Sequence, residues 1–187
     1  MRKLAVIIVL MLFFMQAQGR EVAGVDLPEK VKLEGDTTSL VLNGAGIRKK
    51  LFFSIYLASL YLPALSDDAD AILDADKPRR LQMDMLYSEV AKQKLIDAWN
   101  EGFAANHSAE ALAPLSERIT RFNEMFETLV AGDQVQLDYL PAQGTRVVIN
   151  GKERGLIPGQ DFNKALLKIW LGEAPVTGRL KQDLLGG

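Results

Sequence analysis

Between residues 39 and 62 the apolar positions crowd together twice. Ser39-Leu40-Val41-Leu42 has the short branched run of a strand and gives out at Asn43-Gly44-Ala45-Gly46, a stretch too rich in glycine to be regular, where a turn or kink is predicted. Leu51 to Leu62, closed by Pro63, is dense in aromatic and branched residues and predicts a long strand buried on both faces. Alternation puts Phe53, Ile55 and Leu57 on one purely apolar side. Ser54, Tyr56 and Ala58 fall on the other, where small side chains and hydroxyls leave room for a cavity. Ahead of this pair, Arg20 to Lys32 reads as a polar lead.

Downstream the period changes. Ser66 to Asp76 predicts a short helix before Lys77-Pro78, and Leu81 to Tyr87 alternates like a half-exposed strand. Ser88 is placed to cap an amphipathic helix whose apolar positions are Leu95, Ala98, Trp99, Gly102 and Phe103. A further helix is marked by Leu115, Ile119, Phe122, Phe126 and Leu129, and stops at Ala131-Gly132. Val135, Leu137 and Tyr139 then alternate with polar residues, and Arg146 to Ile149 meets Asn150-Gly151, a strong hairpin signal, before Lys152 to Ile157. After Pro158-Gly159, helical spacing returns at Phe162, Ala165, Leu166, Ile169 and Trp170, up to Gly172. Helices cluster instead of alternating with strands. The fold class is therefore α+β, with a mainly antiparallel sheet covered on one face by helices, in a single domain over residues 20–187.

Met1 to Gly19 has a different character. Arg2 and Lys3 precede an apolar stretch from Leu4 to Met15, and Ala17-Gln18-Gly19 ends it with small residues, the three parts of a secretory signal peptide cleaved after Gly19. The apolar stretch is short for a permanent membrane span and no second one follows, so the mature protein is expected without an anchor; an uncleaved N-terminal anchor is the alternative. The expected location is outside the cytoplasm, in the periplasm if the source is bacterial. Without Arg2 and Lys3 the 22 basic residues become 20 against 24 acidic ones, a net charge of −4.

Composition closes several chemistries. The 187 residues include no cysteine and one histidine, His107, which excludes disulfides, thiolate metal sites, cysteine nucleophiles and any centre built on two imidazoles. No cofactor or metal is expected: Asn43-Gly44-Ala45-Gly46 leads into Arg48-Lys49 and a strand, where a dinucleotide loop needs a third glycine and a helix. No arginine-rich block marks a nucleic-acid partner. His107, beside Asn106 and Ser108, reads as a solvated loop residue, and Trp99 and Trp170 occupy helical core positions.

The chemical lead is Arg48. Strand-like segments flank it, the preceding glycines permit close backbone approach, and Tyr56 follows on the roomier side of the next strand. A guanidinium beside an apolar cavity is an anion hook able to donate two parallel bonds to a carboxylate or phenolate. The competing reading takes Arg48-Lys49-Lys50 as a solvated cationic turn.

The stretch from Leu42 to Arg48, with the strand ending Leu60-Tyr61-Leu62, resembles the N-terminal signature of chalcone isomerase and its relatives. Ala165 to Glu173 is similar to the family's closing helix, and Pro175 to Leu185 to its tail. The likeness runs from Leu40 to Leu185 and is strongest to bacterial secreted chalcone isomerase-like proteins. It implies an open-faced β-sandwich with a ligand cleft between sheet and helices. By the same resemblance, the arginine that holds the substrate oxyanion in the enzymes falls on Arg48, and their strand threonine falls on Tyr56. Their helical tyrosine and asparagine fall near Ala91 and Ala98, and a closing-helix threonine falls on Ile169. Arginine with tyrosine is similar to the fatty-acid-binding branch of the superfamily, which implies Arg48, Tyr56, Ile169 and Trp170 as ligand-binding residues. The expected function is a non-catalytic binder of an apolar carboxylate such as a fatty acid. The alternatives are an isomerase or intramolecular lyase acting on an unsaturated carbonyl compound, with Arg48 catalytic, and an envelope interaction module.

Overall fold

The apolar runs of the sequence become the strands of an antiparallel seven-stranded sheet, curled and covered by helices, in a computed structural model that describes residues 20–187. The predicted signal segment lies outside the described residues. In chain order, β1 (Arg20–Val22) and β2 (Val25–Leu27) form a separate ribbon, followed by β3 (Lys30–Lys32), β4 (Ser39–Lys50), β5 (Phe53–Leu62), α1 (Ala69–Asp74) and β6 (Arg79–Met85). Next come β7 (Glu89–Val90), α2 (Lys92–Asn106), α3 (Ala109–Leu112), a 3₁₀ turn at Ala113–Leu115, α4 (Ser116–Glu124) and β8 (Leu129–Val130). The chain closes with β9 (Gln134–Leu140), β10 (Gly144–Ile149), β11 (Lys152–Ile157), α5 (Gln160–Leu171) and α6 (Gly178–Leu184). The sheet order is β11-β10-β9-β6-β5-β4-β3, and β7 pairs with β8 in a second small ribbon. The α+β class expected from the sequence, a mainly antiparallel sheet covered on one face by helices, holds.

Several local expectations are corrected. The polar lead contains three short strands, too brief to show a period; Val22, Val25 and Leu27 pack with Ala45 and Leu57 on the sheet face away from the large core. The glycine-rich stretch does not end its strand. β4 runs through it to Lys50, and the kink is a register shift at Asn43, whose side chain donates to the carbonyls of Ser66 (2.9 Å) and Leu184 (2.8 Å). Gly44 and Gly46 are required by α6, because a Cβ at Gly44 would lie 2.6 Å from the Leu184 carbonyl oxygen and one at Gly46 2.5 Å from Asp183 Cβ. Leu51 and Phe52 form a two-residue turn between β4 and β5 and are exposed, so the strand begins only at Phe53.

Ser88 does not cap α2. Glu89 and Val90 are taken into β7, Ala91 stands at the cap, and the Lys92 N–H donates to the Thr128 hydroxyl at 3.2 Å. The helix marked by Leu115 and Ile119 ends at Glu124, since Leu129 and Val130 pair with β7; Phe126 and Leu129 stay buried beyond its end. At Asn150-Gly151 the expected hairpin forms, with positive φ at both residues (52° and 73°).

The large core lies between the sheet and the helices. Tyr56, Ala58, Leu60 and Leu62 of β5 face it, and alternation sends Leu57 and Tyr61 to the opposite face. Its centre is aromatic: Phe122 packs against Trp99, Phe103, Phe126 and Phe162 at centroid distances of 5.7, 6.5, 4.9 and 5.6 Å. Trp99 in turn meets Trp170 at 5.6 Å, joining α2 to α5.

Candidate functional site

A cavity of about 380 Å³ opens where β4, β5 and β6 meet α2 and α5. Arg48 of β4 pairs directly with Tyr56 of β5, so both side chains leave the same face of the sheet, toward this cavity. One step further along the hairpin, Lys49 pairs with Ser54, which leaves Ile55 as an extra residue in β5. That bulge breaks the strict alternation read from the sequence. Phe53, opposite Lys50, joins the face of Tyr56 instead of that of Leu57, and Ile55 lines the cavity beside Tyr56. The carbonyl of Ile55 accepts from the N–H groups of Leu86 (3.0 Å) and Tyr87 (3.1 Å), which ties the bulge to the end of β6.

The walls are mostly apolar: Ile55, Met85, Val90, Leu95, Trp99, Ile169 and Val176. Arg48 is half-buried, its Nε is fully enclosed without a hydrogen-bond partner, and among the described residues no carboxylate pairs with it. Its Cζ lies 5.8 Å from the Tyr56 ring centroid, which positions the cation over the ring face. The Tyr56 hydroxyl accepts from the indole N–H of Trp170 at 3.0 Å, and both residues are buried. Accepting that bond leaves the hydroxyl's own proton free to donate. Burial pushes the Tyr56 phenol up to about 12, opposed by Arg48 and the Trp170 bond, so Tyr56 stays a neutral donor throughout the physiological range. A cation and a neutral O–H donor therefore share one end of an apolar cavity. Lys50, Lys94, Glu89, Asp97 and Glu101 add charges of both signs to its lining.

Of the residues singled out in the sequence, Arg48, Tyr56 and Ile169 line this cavity together, and so do Ala91 and Ala98, the two positions where the resemblance places polar residues in the enzymes. Trp170 is outside the lining, behind Tyr56, and acts on the site through its bond to the hydroxyl. His107 is elsewhere, at the end of α2, with Nδ1 3.0 Å from the Phe103 carbonyl oxygen. Trp99, read as a core residue, is both core and cavity wall, and its buried indole N–H has no partner. The sequence pattern marks neither Tyr87 nor Met85 as a site residue and assigns Ile55 to the face opposite Tyr56; the bulge and the end of β6 bring all three to the cavity, and no residue pattern announces a bulge.

Replacing Tyr56 with phenylalanine should lower the unfolding free energy by about 1–3 kcal/mol, because the buried Trp170 N–H loses its acceptor. Equilibrium urea unfolding measures this, and a change near zero would mean that the bond contributes nothing.

The fold is similar to the crystal structure of a fatty-acid binding protein from Arabidopsis thaliana, at a TM-score of 0.70 and 16% sequence identity, over 91% of this chain and 96% of that one. At that identity the likeness speaks for the fold. Among curated proteins none matches the sequence. The sequence itself matches the chalcone isomerase-like family over residues 19–186, nearly the whole of the described body and the segment that builds the cavity, and the chain therefore belongs to the chalcone isomerase-like family.

Proposed function

We propose that this is a secreted, non-catalytic binding protein for an apolar carboxylate such as a fatty acid. Residues 1–19 are a cleaved signal peptide, and residues 20–187 form one domain that works outside the cytoplasm. The observation that carries the reading is the guanidinium of Arg48, unpaired among the described residues, in the wall of an apolar cavity beside the neutral hydroxyl of Tyr56. Arg48 takes the carboxylate with charge-assisted bonds, Tyr56 adds a third donor, and Ile55, Met85, Leu95, Ile169 and Val176 enclose the hydrocarbon. About 380 Å³ lies toward the small end of the ~300–1,000 Å³ range of ligand pockets, which suits one slender acyl chain.

Two further points favour binding over ring closure. Steering a phenoxide onto a polarised enone needs several placed donors, and Ala91, Ala98 and Ile169 bring none to the cavity. The structural neighbour from Arabidopsis thaliana is itself a fatty-acid binding protein. Among the described residues no cluster of His, Cys, Asp and Glu could hold a metal ion, and no helix is long and apolar enough to cross a membrane.

Native mass spectrometry of the protein purified after export tests the reading. The expected result is a chain beginning at Arg20 that carries acyl carboxylates, with added fatty acid raising Tm. A protein that carries no acyl mass and whose Tm ignores added fatty acid would overturn it.

A further inference from the structure

The turn between β4 and β5 is built against the ordinary rules for a solvent-exposed hairpin. Leu51 is 84% exposed, Phe52 97% and Phe53 53%, and these three consecutive residues are most of the large apolar side chains exposed among the described residues, the others being Leu65 and Val130. Leu51 also holds a left-handed φ of 55°, a conformation that costs a bulky residue energy and that glycine or asparagine adopts freely. Of the other two-residue hairpins among the described residues, β10–β11 turns on Asn150-Gly151, the residues such a turn favours, and β1–β2 on Ala23-Gly24, a small residue and a glycine. At Leu51-Phe52 the chain therefore keeps two hydrocarbon side chains in water on a strained backbone, and a water-facing turn gains nothing from either.

Charge supplies the second observation. Lys49 and Lys50 are exposed immediately before the turn, Arg48 precedes them, and no acidic residue occurs from Thr37 to Ser66, although the chain from Arg20 onward carries a net charge of −4. A projecting tip of two or three apolar side chains is far smaller than the roughly 800 Å² that each partner of a stable protein–protein interface buries. Apolar residues on a narrow tip, with cations at the level of their base, match the layered chemistry of a bilayer surface: acyl chains inside, anionic headgroups outside.

We propose that the β4–β5 hairpin docks the protein on a lipid bilayer bearing anionic headgroups, with Leu51 and Phe52 entering the acyl region and Lys49 and Lys50 meeting the headgroups. The docked tip adjoins the cavity mouth. Lys50 lines the cavity, and the Phe53 ring packs edge-on against Tyr87, another lining residue, at 5.4 Å. Docking would thus bring the cavity to the membrane surface, whatever ligand the cavity holds.

The test uses the exported form proposed above, the chain from Arg20 to Gly187, in co-sedimentation with vesicles. Wild type is expected to pellet with vesicles of phosphatidylcholine and phosphatidylglycerol in equal parts, to pellet poorly with phosphatidylcholine alone, and to be released as salt rises. Leu51→Gly combined with Phe52→Asn relieves the backbone strain and should leave Tm unchanged or higher. Its vesicle partition coefficient should fall about a hundredfold, since each buried Leu or Phe side chain is worth about tenfold or more. Phe52→Ser alone should show part of that loss. The double variant should still bind fatty acid in solution as wild type does, because neither residue lines the cavity. Wild type left in the supernatant with the anionic vesicles at low salt, or a folded double variant that pellets like wild type, would overturn the proposal while leaving the cavity's own function untouched.

Discussion

Arg48→Ala should weaken the affinity for a long-chain fatty acid by about 10- to 100-fold, because a charge-assisted hydrogen bond in a site sheltered from water is worth about 1.5–3 kcal/mol. The same substitution should not destabilise the free protein. Arg48 is half-buried, has an enclosed Nε without a partner and faces no carboxylate among the described residues, so only the Tyr56 ring face offsets the desolvation of its charge. Arg48→Met, which keeps the apolar stem and removes the charge, should raise Tm while losing the ligand. Such opposition between stability and binding is the mark of a residue held for function. Isothermal titration and thermal unfolding of the two variants check both halves. A fall in Tm with unchanged affinity would make Arg48 a structural residue.

Phe122→Ala should give the largest loss of stability, about 3–5 kcal/mol, as expected for emptying a fully buried aromatic site. Phe122 is in contact with four other rings, and those rings come from α2, α5 and the segment after α4. No single neighbour can move in to fill the space. Against a total of about 5–15 kcal/mol for a typical domain, the loss should bring the protein near the edge of folding at 37 °C. Guanidinium unfolding would show a lower midpoint at an unchanged slope. A loss below about 1 kcal/mol would mean that the helical layer repacks freely, contrary to the close-packed core described above. Trp99 stands between this cluster and the cavity, so the variant should also bind ligand more weakly.

The parts of the fold legible in the sequence are those where one local pattern dominates. α5 follows its apolar positions from Phe162 to Trp170 and ends at Gly172, and the β10–β11 hairpin follows Asn150-Gly151. Tertiary pairing decides the rest. Ser88 is a sound N-cap on local grounds, yet the pairing of Glu89-Val90 with Leu129-Val130 moves the start of α2 and shortens the helix before it. Gly44 and Gly46 looked like a break because the residue that requires them, Asp183, lies far along the chain. The candidate site was half legible. Arg48 and Tyr56 could be placed from spacing and resemblance; the bulge at Ile55 and the turn at Leu51-Phe52 could not, since a run as apolar as Leu51 to Leu62 reads as uninterrupted strand.

The central claim is that the head group, and not only the hydrocarbon, is recognised at Arg48. Affinities of wild type and Arg48→Ala for a saturated fatty acid and for the alcohol of equal chain length test it most directly. The expected result is that wild type prefers the acid by about tenfold or more and that Arg48→Ala binds the two alike, since an alcohol cannot take a charge-assisted pair. A wild type indifferent to the head group, or a preference for the acid that survives in Arg48→Ala, would contradict the claim.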